Sequence, residues 1–328
     1  MRCISRAKSA ALVCVASISL FTGGCIGGKG ATPVTAYELK NYNQDLYQGK
    51  LYAEELCVAQ NDVALEGYTE DTELHSAALF DLIGERVLYS YKAHERLYPA
   101  STTKIMTALL AIENANLDDQ VTISGNADAS SFSADAQVCG LAKGEVWTLR
   151  DLLGALLLYS GNDAATAIAE YVGGSEEAFV NMMNRRAQEL MANGTHFMNP
   201  HGLHDDNHYT TAYDLYLIFN ECIKHEDFVN IIQSEAYTAY YTDVDGNSQE
   251  ALFTPTNLYA QGEVDVPENV TIVGGKTGTT DEAGYCLILM EKDSSDNPYI
   301  SIVMGASEKP VLYEDMTSLI EAIPSGQQ

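Results

Sequence analysis

The order of strand-like and helical segments constrains the fold of this chain more than any other feature. Two short apolar segments, 77–80 and 86–91, flank a turn and predict a pair of strands. Between residues 101 and 224 the apolar side chains instead recur at helical spacing, and strand-like segments return from residue 236 onward. Because strands precede and follow a block of helices rather than alternate with them, we predict the α+β class: an antiparallel sheet flanked by helices, with a helical subdomain.

Residues that favour helix ends bound several of these segments. Thr148 with Asp151 forms a capping-box pattern, and Thr211 with Asp214 forms a similar cap. Gly194 follows one of the helical segments and predicts its end there. We predict helices over 101–114, 149–158, 163–172, 175–193, 211–224 and 313–323, and further strands over 236–242, 271–273, 285–291 and 299–304.

Composition narrows the function. The chain has 328 residues, of which 46 are acidic and 18 are basic, for a formal net charge of −28. Nucleic-acid binding requires dense basic surfaces, so this charge excludes a nucleic-acid partner. A hydrophobic share of 46% is that of a globular protein and excludes wholesale disorder.

The N-terminus has the pattern of a targeting segment. Basic residues at positions 2, 6 and 8 precede a largely apolar run over residues 9–21. The run ends in Thr22-Gly23-Gly24-Cys25, which resembles the lipobox of bacterial lipoproteins, where cleavage precedes a lipidated cysteine. We predict a signal peptide over residues 1–24 and lipidation of Cys25, with an ordinary secretory peptide as the alternative. Two acyl chains suffice for stable anchoring, which predicts an extracytoplasmic protein held at the bacterial cell membrane.

A polar segment separates this leader from the regular part of the chain. Residues 25–71 have weak periodicity and predict a stalk, although the part over 51–65 is able to pack onto the domain. One globular domain is predicted over residues 72–325. Four cysteines lie beyond the leader without tight spacing or a C-x-x-C pattern, so buried thiols and disulfides both remain open for Cys57, Cys139, Cys222 and Cys286.

Three short motifs contain the side chains that are able to carry chemistry. Ser101-Thr102-Thr103-Lys104 places a hydroxyl and an amine at positions i and i+3 of a predicted helix, on one face. The pattern alone is weak, because Ser5-Arg6-Ala7-Lys8 repeats it in the predicted signal peptide. Ser160-Gly161-Asn162 stands between two predicted helices. Lys276-Thr277-Gly278 follows a short strand and a glycine pair, where a ligand can approach the backbone closely.

The order and spacing of the three motifs are specific, whereas each motif alone is not. S-x-x-K, then S-x-N, then K-T-G is the signature of the serine acyl-transfer enzymes that penicillin recognises. The sequence accordingly resembles the D-alanyl-D-alanine carboxypeptidases, or low-molecular-weight penicillin-binding proteins, over about residues 72–323. The segments that carry the resemblance are YPASTTKIMT (98–107), LYSGNDAA (158–165), NPHGL (199–203), YTTAYD (209–214) and GKTGTTDEAGY (275–285).

The resemblance implies a fold, an activity and a set of partners. The fold is β-lactamase/transpeptidase-like, so the predicted domain over 72–325 is the catalytic one. The activity is removal of the terminal D-Ala from peptidoglycan stem peptides ending in D-Ala-D-Ala, through an acyl-enzyme that penicillins also form. The protein is expected to face the cell wall and to need no cofactor.

The resemblance also implies roles for the motif residues. Ser101 is the nucleophile and Lys104 is its base, an amine whose pKa must fall for it to serve. Ser160 and Asn162 relay the leaving-group proton and hold the substrate amide. Binding of the substrate's terminal carboxylate falls to the third motif, with Lys276, Thr277, Gly278 and Thr279 as the substrate-binding residues. The expected oxyanion hole consists of the backbone N–H groups of Ser101 and Thr279.

Three features depart from the family pattern. Family members often continue into a C-terminal β domain and a membrane-anchoring helix, whereas here the sequence stops at Gln328, and we expect the N-terminal lipid to replace that anchor. Ser307-Glu308-Lys309-Pro310 stands where an arginine is common. Cys139 stands where small polar residues are common, and we expect it to be a packed thiol rather than a residue at the cleft rim.

Two other functions share part of this pattern. A serine β-lactamase has the same fold and motifs, but class A enzymes use a Glu-activated water, and residues 193–203 contain no Glu. A non-catalytic penicillin-binding sensor lipoprotein is the second alternative, and the intact set of catalytic side chains argues against it.

A group of histidines raises the question of a metal. His201, His204 and His208 are loosely spaced with Asp205 and Asp206, in a segment whose Gly202 and Asn207 predict a loop rather than a helix with ligands one turn apart. We therefore predict no metal site and expect His201 to support the cleft.

Overall fold

A five-stranded antiparallel sheet runs through the domain in this computed structural model, which describes residues 55–65 and 76–324. The predicted signal peptide and Cys25 lie outside the described residues. The strands lie in the order β2 (Arg86–Tyr91), β1 (Ser76–Asp81), β9 (Pro298–Ala306), β8 (Gly284–Asp293) and β7 (Val270–Thr280). Pairing of β1 with β9 therefore joins the beginning of the domain to its end.

Eight α-helices are present among the described residues. They match the predicted helices and add two short ones, α6 and α7, that the sequence pattern does not indicate. The helices are α1 (Lys104–Asn114), α2 (Leu149–Gly154), α3 (Asn162–Gly173), α4 (Glu176–Glu189), α5 (Ala212–Cys222), α6 (Glu226–Ile232), α7 (Leu258–Gln261) and α8 (Lys309–Glu321).

Both faces of the large sheet are covered. Successive side chains of a strand point to opposite faces, so neighbouring residues of β8 belong to different clusters. On one face Leu287 and Leu289 of β8 belong to a buried cluster with Leu312 and Met316 of α8. On the other face Ile288 belongs to the larger core that helices α1 to α6 form. This layering confirms the predicted α+β class and the predicted block of helices between β2 and β7.

A second sheet of four short strands borders the helical block. Its order is β3 (Gln120–Thr122), β4 (Val146–Thr148), β5 (Tyr237–Thr242) and β6 (Ser248–Phe253). Only β5 is predicted from the sequence, because β3 and β4 have three residues each and most side chains of β6 are exposed. The Trp147 indole stacks on the Tyr241 ring, with 4.2 Å between ring centroids, and so joins β4 to β5.

Three helix ends differ from the prediction for local reasons. α4 ends at Glu189 rather than near Gly194, since the chain turns at Met191, whose φ of 63° is left-handed. α2 ends at Gly154 and continues as a π-helical turn, Ala155–Tyr159. α8 begins four residues before the predicted start, with Pro310 in its first turn, where a proline removes no helical hydrogen bond.

Residues 55–65, which belong to the stretch predicted as a stalk, pack on the domain. The Cys57 N–H donates to the Tyr216 hydroxyl of α5 over 2.9 Å, and the Cys57 side chain is buried. Val63 forms a β-bridge with Ser90 of β2. These contacts fit the alternative in which this segment packs onto the domain, and the boundary at residue 72 stays a prediction.

The structure also shows whether the four cysteines of the domain form disulfides and whether any described helix is able to cross a membrane. Cys57, Cys139, Cys222 and Cys286 are free thiols, and three of them are buried. Within the described parts of the chain, no helix has both the length and the apolar character that crossing a bilayer requires.

A loop over residues 195–210 covers the beginning of α1. Two β-bridges hold it, between Leu97 and Thr210 and between His196 and Tyr209. The Thr107 hydroxyl of α1 donates to the Pro200 carbonyl over 2.6 Å. Gly202 has a φ of +90°, and a Cβ at this position would overlap the carbonyl oxygen of Ala100, so only glycine fits.

We predict that Gly202→Ala lowers the free energy of unfolding by about 3 kcal/mol or more, since it adds backbone overlap to left-handed strain. The matched control is Gly246→Ala. Gly246 has a similar φ of +85°, but nothing lies within 4 Å of its Cβ position, so strain alone should cost about 1–2 kcal/mol. Urea unfolding of both variants measures the difference, and equal losses would contradict the close approach of Gly202 to Ala100.

Candidate active site

Ser101 and Lys104 stand where the chain enters α1. Ala100 has a left-handed φ of 47°, and residues Ala100–Thr103 form a 3₁₀ turn that leads into the helix. This geometry places the Lys104 Nζ 2.8 Å from the Ser101 Oγ. The predicted meeting of the two side chains at positions i and i+3 is therefore present.

Lys104 is completely buried and has three oxygen neighbours. Its Nζ lies 2.8 Å from the Ser101 Oγ, 2.7 Å from the Asn162 Oδ1 and 2.6 Å from the His201 carbonyl oxygen. Two of these oxygens belong to carbonyl groups, which only accept hydrogen bonds. A neutral amine has two N–H groups and one lone pair, so it can donate to both carbonyls. Its lone pair can then accept a hydrogen bond from the hydroxyl of Ser101.

The surroundings of Lys104 favour this neutral form. Burial lowers the pKa of Lys104 well below its usual value, and the positive charge of Lys276 lowers it further. Burial likewise lowers the pKa of the His201 ring to about 3, so the ring adds no positive charge at neutral pH. The expected support of the cleft by His201 comes from its backbone carbonyl, which accepts from Lys104.

The second motif lies at the end of the π-helical turn. Ser160 adopts a left-handed conformation with a φ of 71°, which is uncommon for a residue with a side chain. Its Oγ accepts a hydrogen bond of 2.9 Å from the Nζ of Lys276. Asn162 begins α3, its N–H donates to the Gln137 carbonyl, and its side chain reaches Lys104. The turn thereby joins the first motif to the third.

The third motif forms the end of β7. Lys276 is 1% exposed, and its Nζ donates to the Ser160 Oγ and to the Thr277 carbonyl, each over 2.9 Å. Burial lowers the pKa of Lys276 to about 7. A Cβ on Gly278 would lie 3.0 Å from the Ser101 nitrogen, so glycine allows this strand to approach the turn that carries Ser101.

A cleft of about 670 Å³ brings the three motifs together at its wall. Lys104 and Lys276 lie behind the wall, whereas Ser101, Ser160, Asn162, Thr277, Gly278 and Thr279 line it. The cleft has further lining residues that the sequence analysis did not identify. They include Gln137 and Thr256, and the Thr256 hydroxyl lies 2.6 Å from that of Thr277. Neither belongs to a motif, and no sequence signal distinguishes them from other loop residues.

The sequence also singles out Cys139, the segment 307–310 and a group of histidines. Cys139 is half-buried, and its sulfur packs on Gly161, as expected for a packed thiol. Lys309, in the segment that stands where an arginine is common in the family, lines the same cleft at the beginning of α8. His204 and His208 lie in the loop over residues 195–210. The His208 ring contacts the Thr103 hydroxyl over 2.8 Å, and His204 lies 3.3 Å from Asp206.

Comparisons with known proteins agree with this geometry. The family model described as peptidase S11, D-alanyl-D-alanine carboxypeptidase, matches residues 64–308. The chain is 34% identical over 254 residues to the D-alanyl-D-alanine carboxypeptidase DacF of Bacillus subtilis, which covers 76% of this chain and 61% of the relative. It is 31% identical to DacC of Escherichia coli, over 74% of this chain and 59% of the relative. The chain thus spans about three fifths of the length of these curated relatives.

Solved structures show the same fold. The DD-transpeptidase of Streptomyces K15 superimposes with a TM-score of 0.71 at 28% identity, over 78% of this chain and 98% of that one. Penicillin-binding protein 5 of Haemophilus influenzae gives a TM-score of 0.68 at 27% identity, over 78% of this chain and 72% of that one. Since the family model matches well over half of the sequence, and the three motifs meet in one cleft, this chain belongs to the D-alanyl-D-alanine carboxypeptidase family of serine peptidases.

Proposed function

We propose that the protein is a serine D-alanyl-D-alanine carboxypeptidase, which removes the terminal D-Ala from peptidoglycan stem peptides. The observation that carries the proposal is the environment of Lys104. Its buried amine contacts two oxygens that only accept and one hydroxyl that is able to donate, that of Ser101. This is the arrangement that a base requires if it is to take a proton from a serine nucleophile.

The first half of the reaction forms an acyl-enzyme. The Ser101 oxygen attacks the carbonyl carbon of the scissile bond while the Lys104 amine accepts the hydroxyl proton. The N–H groups of Ser101 and Thr279 bind the oxyanion of the tetrahedral intermediate. The bond to the terminal D-Ala then breaks, and its nitrogen receives a proton through the Ser160 hydroxyl. Water hydrolyses the ester in the second half and restores Ser101.

The third motif would recognise the substrate's terminal carboxylate. Lys276 supplies a positive charge behind the wall of the cleft, and the hydroxyls of Thr277 and Thr279 supply hydrogen-bond donors at the wall. Thr256 holds the Thr277 hydroxyl by a hydrogen bond of 2.6 Å and thereby fixes its direction. A β-lactam carries a carboxylate near its reactive carbonyl as well, so penicillins should acylate the same serine.

The two alternatives have less support. A class A β-lactamase needs a glutamate beside the nucleophile, but the carboxylates among the described lining residues, Asp135, Asp281 and Glu282, make no hydrogen bond to Ser101 or Lys104 in the structure. A non-catalytic sensor would not need the paired lysines, which are costly to bury. Release of D-Ala from a peptide ending in D-Ala-D-Ala distinguishes the proposed enzyme from both.

We further propose that Cys25 is lipidated and holds the protein at the outer face of the bacterial cell membrane. The support is the Thr-Gly-Gly-Cys boundary after a short apolar run. Two acyl chains on this cysteine would provide the anchor, and the domain would then work on the cell wall.

Ser101→Ala should abolish covalent labelling by a fluorescent penicillin, because no nucleophile remains beside Lys104. The fold should persist, since only one hydroxyl is removed. Gel fluorescence measures the label, and circular dichroism measures the fold. Ser318→Ala, on the surface of α8, is the control and should label like the wild type. A labelled, folded Ser101→Ala protein would contradict the mechanism.

The pH profile of D-Ala release should be bell-shaped, because the two lysines must have opposite protonation states. Lys104 must be neutral, so kcat/KM rises with pH as this residue loses its proton. Lys276 must be charged to bind the carboxylate, and its pKa is lowered to about 7, so kcat/KM falls above about pH 7. A rising limb at pH 4–5 would instead indicate a carboxylate base and would refute Lys104 in that role.

A peptide with a C-terminal amide is the matched control substrate for Lys276. It leaves the buried charge of Lys276 without a partner, which should lower kcat/KM roughly 100-fold or more. The decrease in kcat/KM above about pH 7 should also become smaller, because an amide does not require a charged Lys276. Equal rates for the acid and the amide would refute the role of Lys276 in carboxylate binding.

Cys25→Ser should release the mature protein from the membrane into the surrounding medium, because the acylated thiol is lost. Immunoblots of membrane and medium fractions measure the distribution. Cys14→Ser changes a cysteine within the predicted signal peptide and should leave the protein in the membrane fraction. Wild-type protein found wholly in the medium would show that the lipid anchor is absent.

A further inference from the structure

The carboxylate of Asp163 is fully buried and accepts four backbone N–H groups. Its Oδ1 accepts from Cys139 and Ala164, each over 2.9 Å. Its Oδ2 accepts from Gly140 over 2.9 Å and from Leu141 over 3.1 Å. Hydrogen bonds to an ionised acceptor are about twice as strong as neutral ones, so this carboxylate fixes the loop segment 137–141 firmly.

The same segment is tied to the turn of the second motif. The Gln137 carbonyl accepts the Asn162 N–H over 2.8 Å, and the Gln137 side chain donates to the Tyr159 carbonyl over 3.2 Å. The Cys139 sulfur fills the space beside Gly161, where a Cβ would overlap it. The loop and the turn therefore hold each other through Asp163, which directly follows Asn162 in the chain.

Asp163 also acts electrostatically on the buried amine of Lys104. The titratable groups that act on Lys104 are Lys276 on β7, Cys139 in the loop and Asp163 on α3. The rings of His201 and His208 lie nearby, and Lys104 lowers the pKa of both rings. Burial and Lys276 lower the pKa of Lys104, whereas the charge of Asp163 raises it. Asp163 thus partly offsets the effect of Lys276.

We propose that Asp163 is a positioning residue of the acylation step: its carboxylate holds segment 137–141 against the turn that carries Ser160 and Asn162, and its negative charge acts on Lys104. The inference rests on the proposed function, because it assigns Asp163 to the acylation of Ser101. It assigns no contact between Asp163 and the substrate.

The test is acylation by a fluorescent penicillin, measured as a second-order rate constant from pH 5 to pH 10. Asp163→Asn removes the charge and turns an amide N–H₂ toward backbone N–H groups. Its maximal rate should fall about 10- to 100-fold, since Asn162 loses its support. Its rising limb should move to lower pH, because the pKa of Lys104 then falls further.

Asp163→Glu keeps the charge, but its longer side chain displaces the carboxylate from the position that four hydrogen bonds of 2.9–3.1 Å require. Its maximal rate should fall while its rising limb stays near that of the wild type. Asp128→Asn is the matched control. Asp128 accepts the backbone N–H groups of Ser130 and Lys143 in the same loop. It is not among the groups that shift the pKa of Lys104 or Lys276, so the acylation rate and the rising limb should both remain unchanged.

A purely structural role for Asp163 would lower the rate in both variants without moving the limb of Asp163→Asn, and this result would overturn the inference. A rate within twofold of the wild type would overturn it as well. If the variants do not fold, hydrogen–deuterium exchange of the wild type tests the inference instead. The amides of residues 139–141 should be protected, and exchange at the solvent rate would refute their hydrogen bonds to Asp163. Wild-type protein that labels normally confines any failure to Asp163, whereas a wild type that is not acylated contradicts the proposed function instead.

Discussion

Two lysine side chains buried at one site are the constraint on which the rest of the structure depends. Lys104 is 0% exposed and Lys276 is 1% exposed, so neither keeps the hydration that an amine has at a surface. Each needs oxygen neighbours from the protein, and each disfavours a proton on the other. The pair therefore holds a single proton most easily. The proposed roles of Lys104 as base and of Lys276 as carboxylate receptor require that this proton is on Lys276.

The local structure around the site supplies these oxygens. The 3₁₀ turn brings the Ser101 hydroxyl to Lys104, and the loop over residues 195–210 brings the His201 carbonyl. The left-handed conformation of Ser160 directs its hydroxyl to Lys276. Two glycines, Gly202 and Gly278, let separate backbone segments approach the turn at Ser101 closely. Features that are strained or unusual in isolation thus serve one purpose, the solvation of two amines inside the protein.

The sequence predicted the side chains of the site better than the backbone that supports them. Ser101, Lys104, Ser160, Asn162 and Lys276 have distinctive chemistry and occur in a recognisable order. The carbonyls of His201, Thr277 and Gln137 contribute as much to the geometry, but every residue has a carbonyl, so no pattern marks them. Thr256 was missed for a related reason, because a threonine in a loop has no periodicity that would relate it to Thr277.

The fold was predictable where burial imposes a period on the sequence. The helices α1 and α5 carry apolar side chains at helical spacing. β1 is buried throughout and was predicted instead from its apolar run beside a turn. The short strands β3 and β4 have no such signal, since three residues are too few to show an alternation, and β6 has mostly exposed side chains. Tertiary contacts, such as the stacking of Trp147 on Tyr241, order these strands instead.

The four free thiols have a consequence for how the domain responds to reducing conditions. Burial raises the pKa of Cys57 and of Cys286 to about 11 and raises that of Cys222 as well, so almost no reactive thiolate is present at neutral pH. Each of these three sulfurs is also shielded from oxidants by the surrounding core. The described domain therefore contains no disulfide that reducing conditions could break.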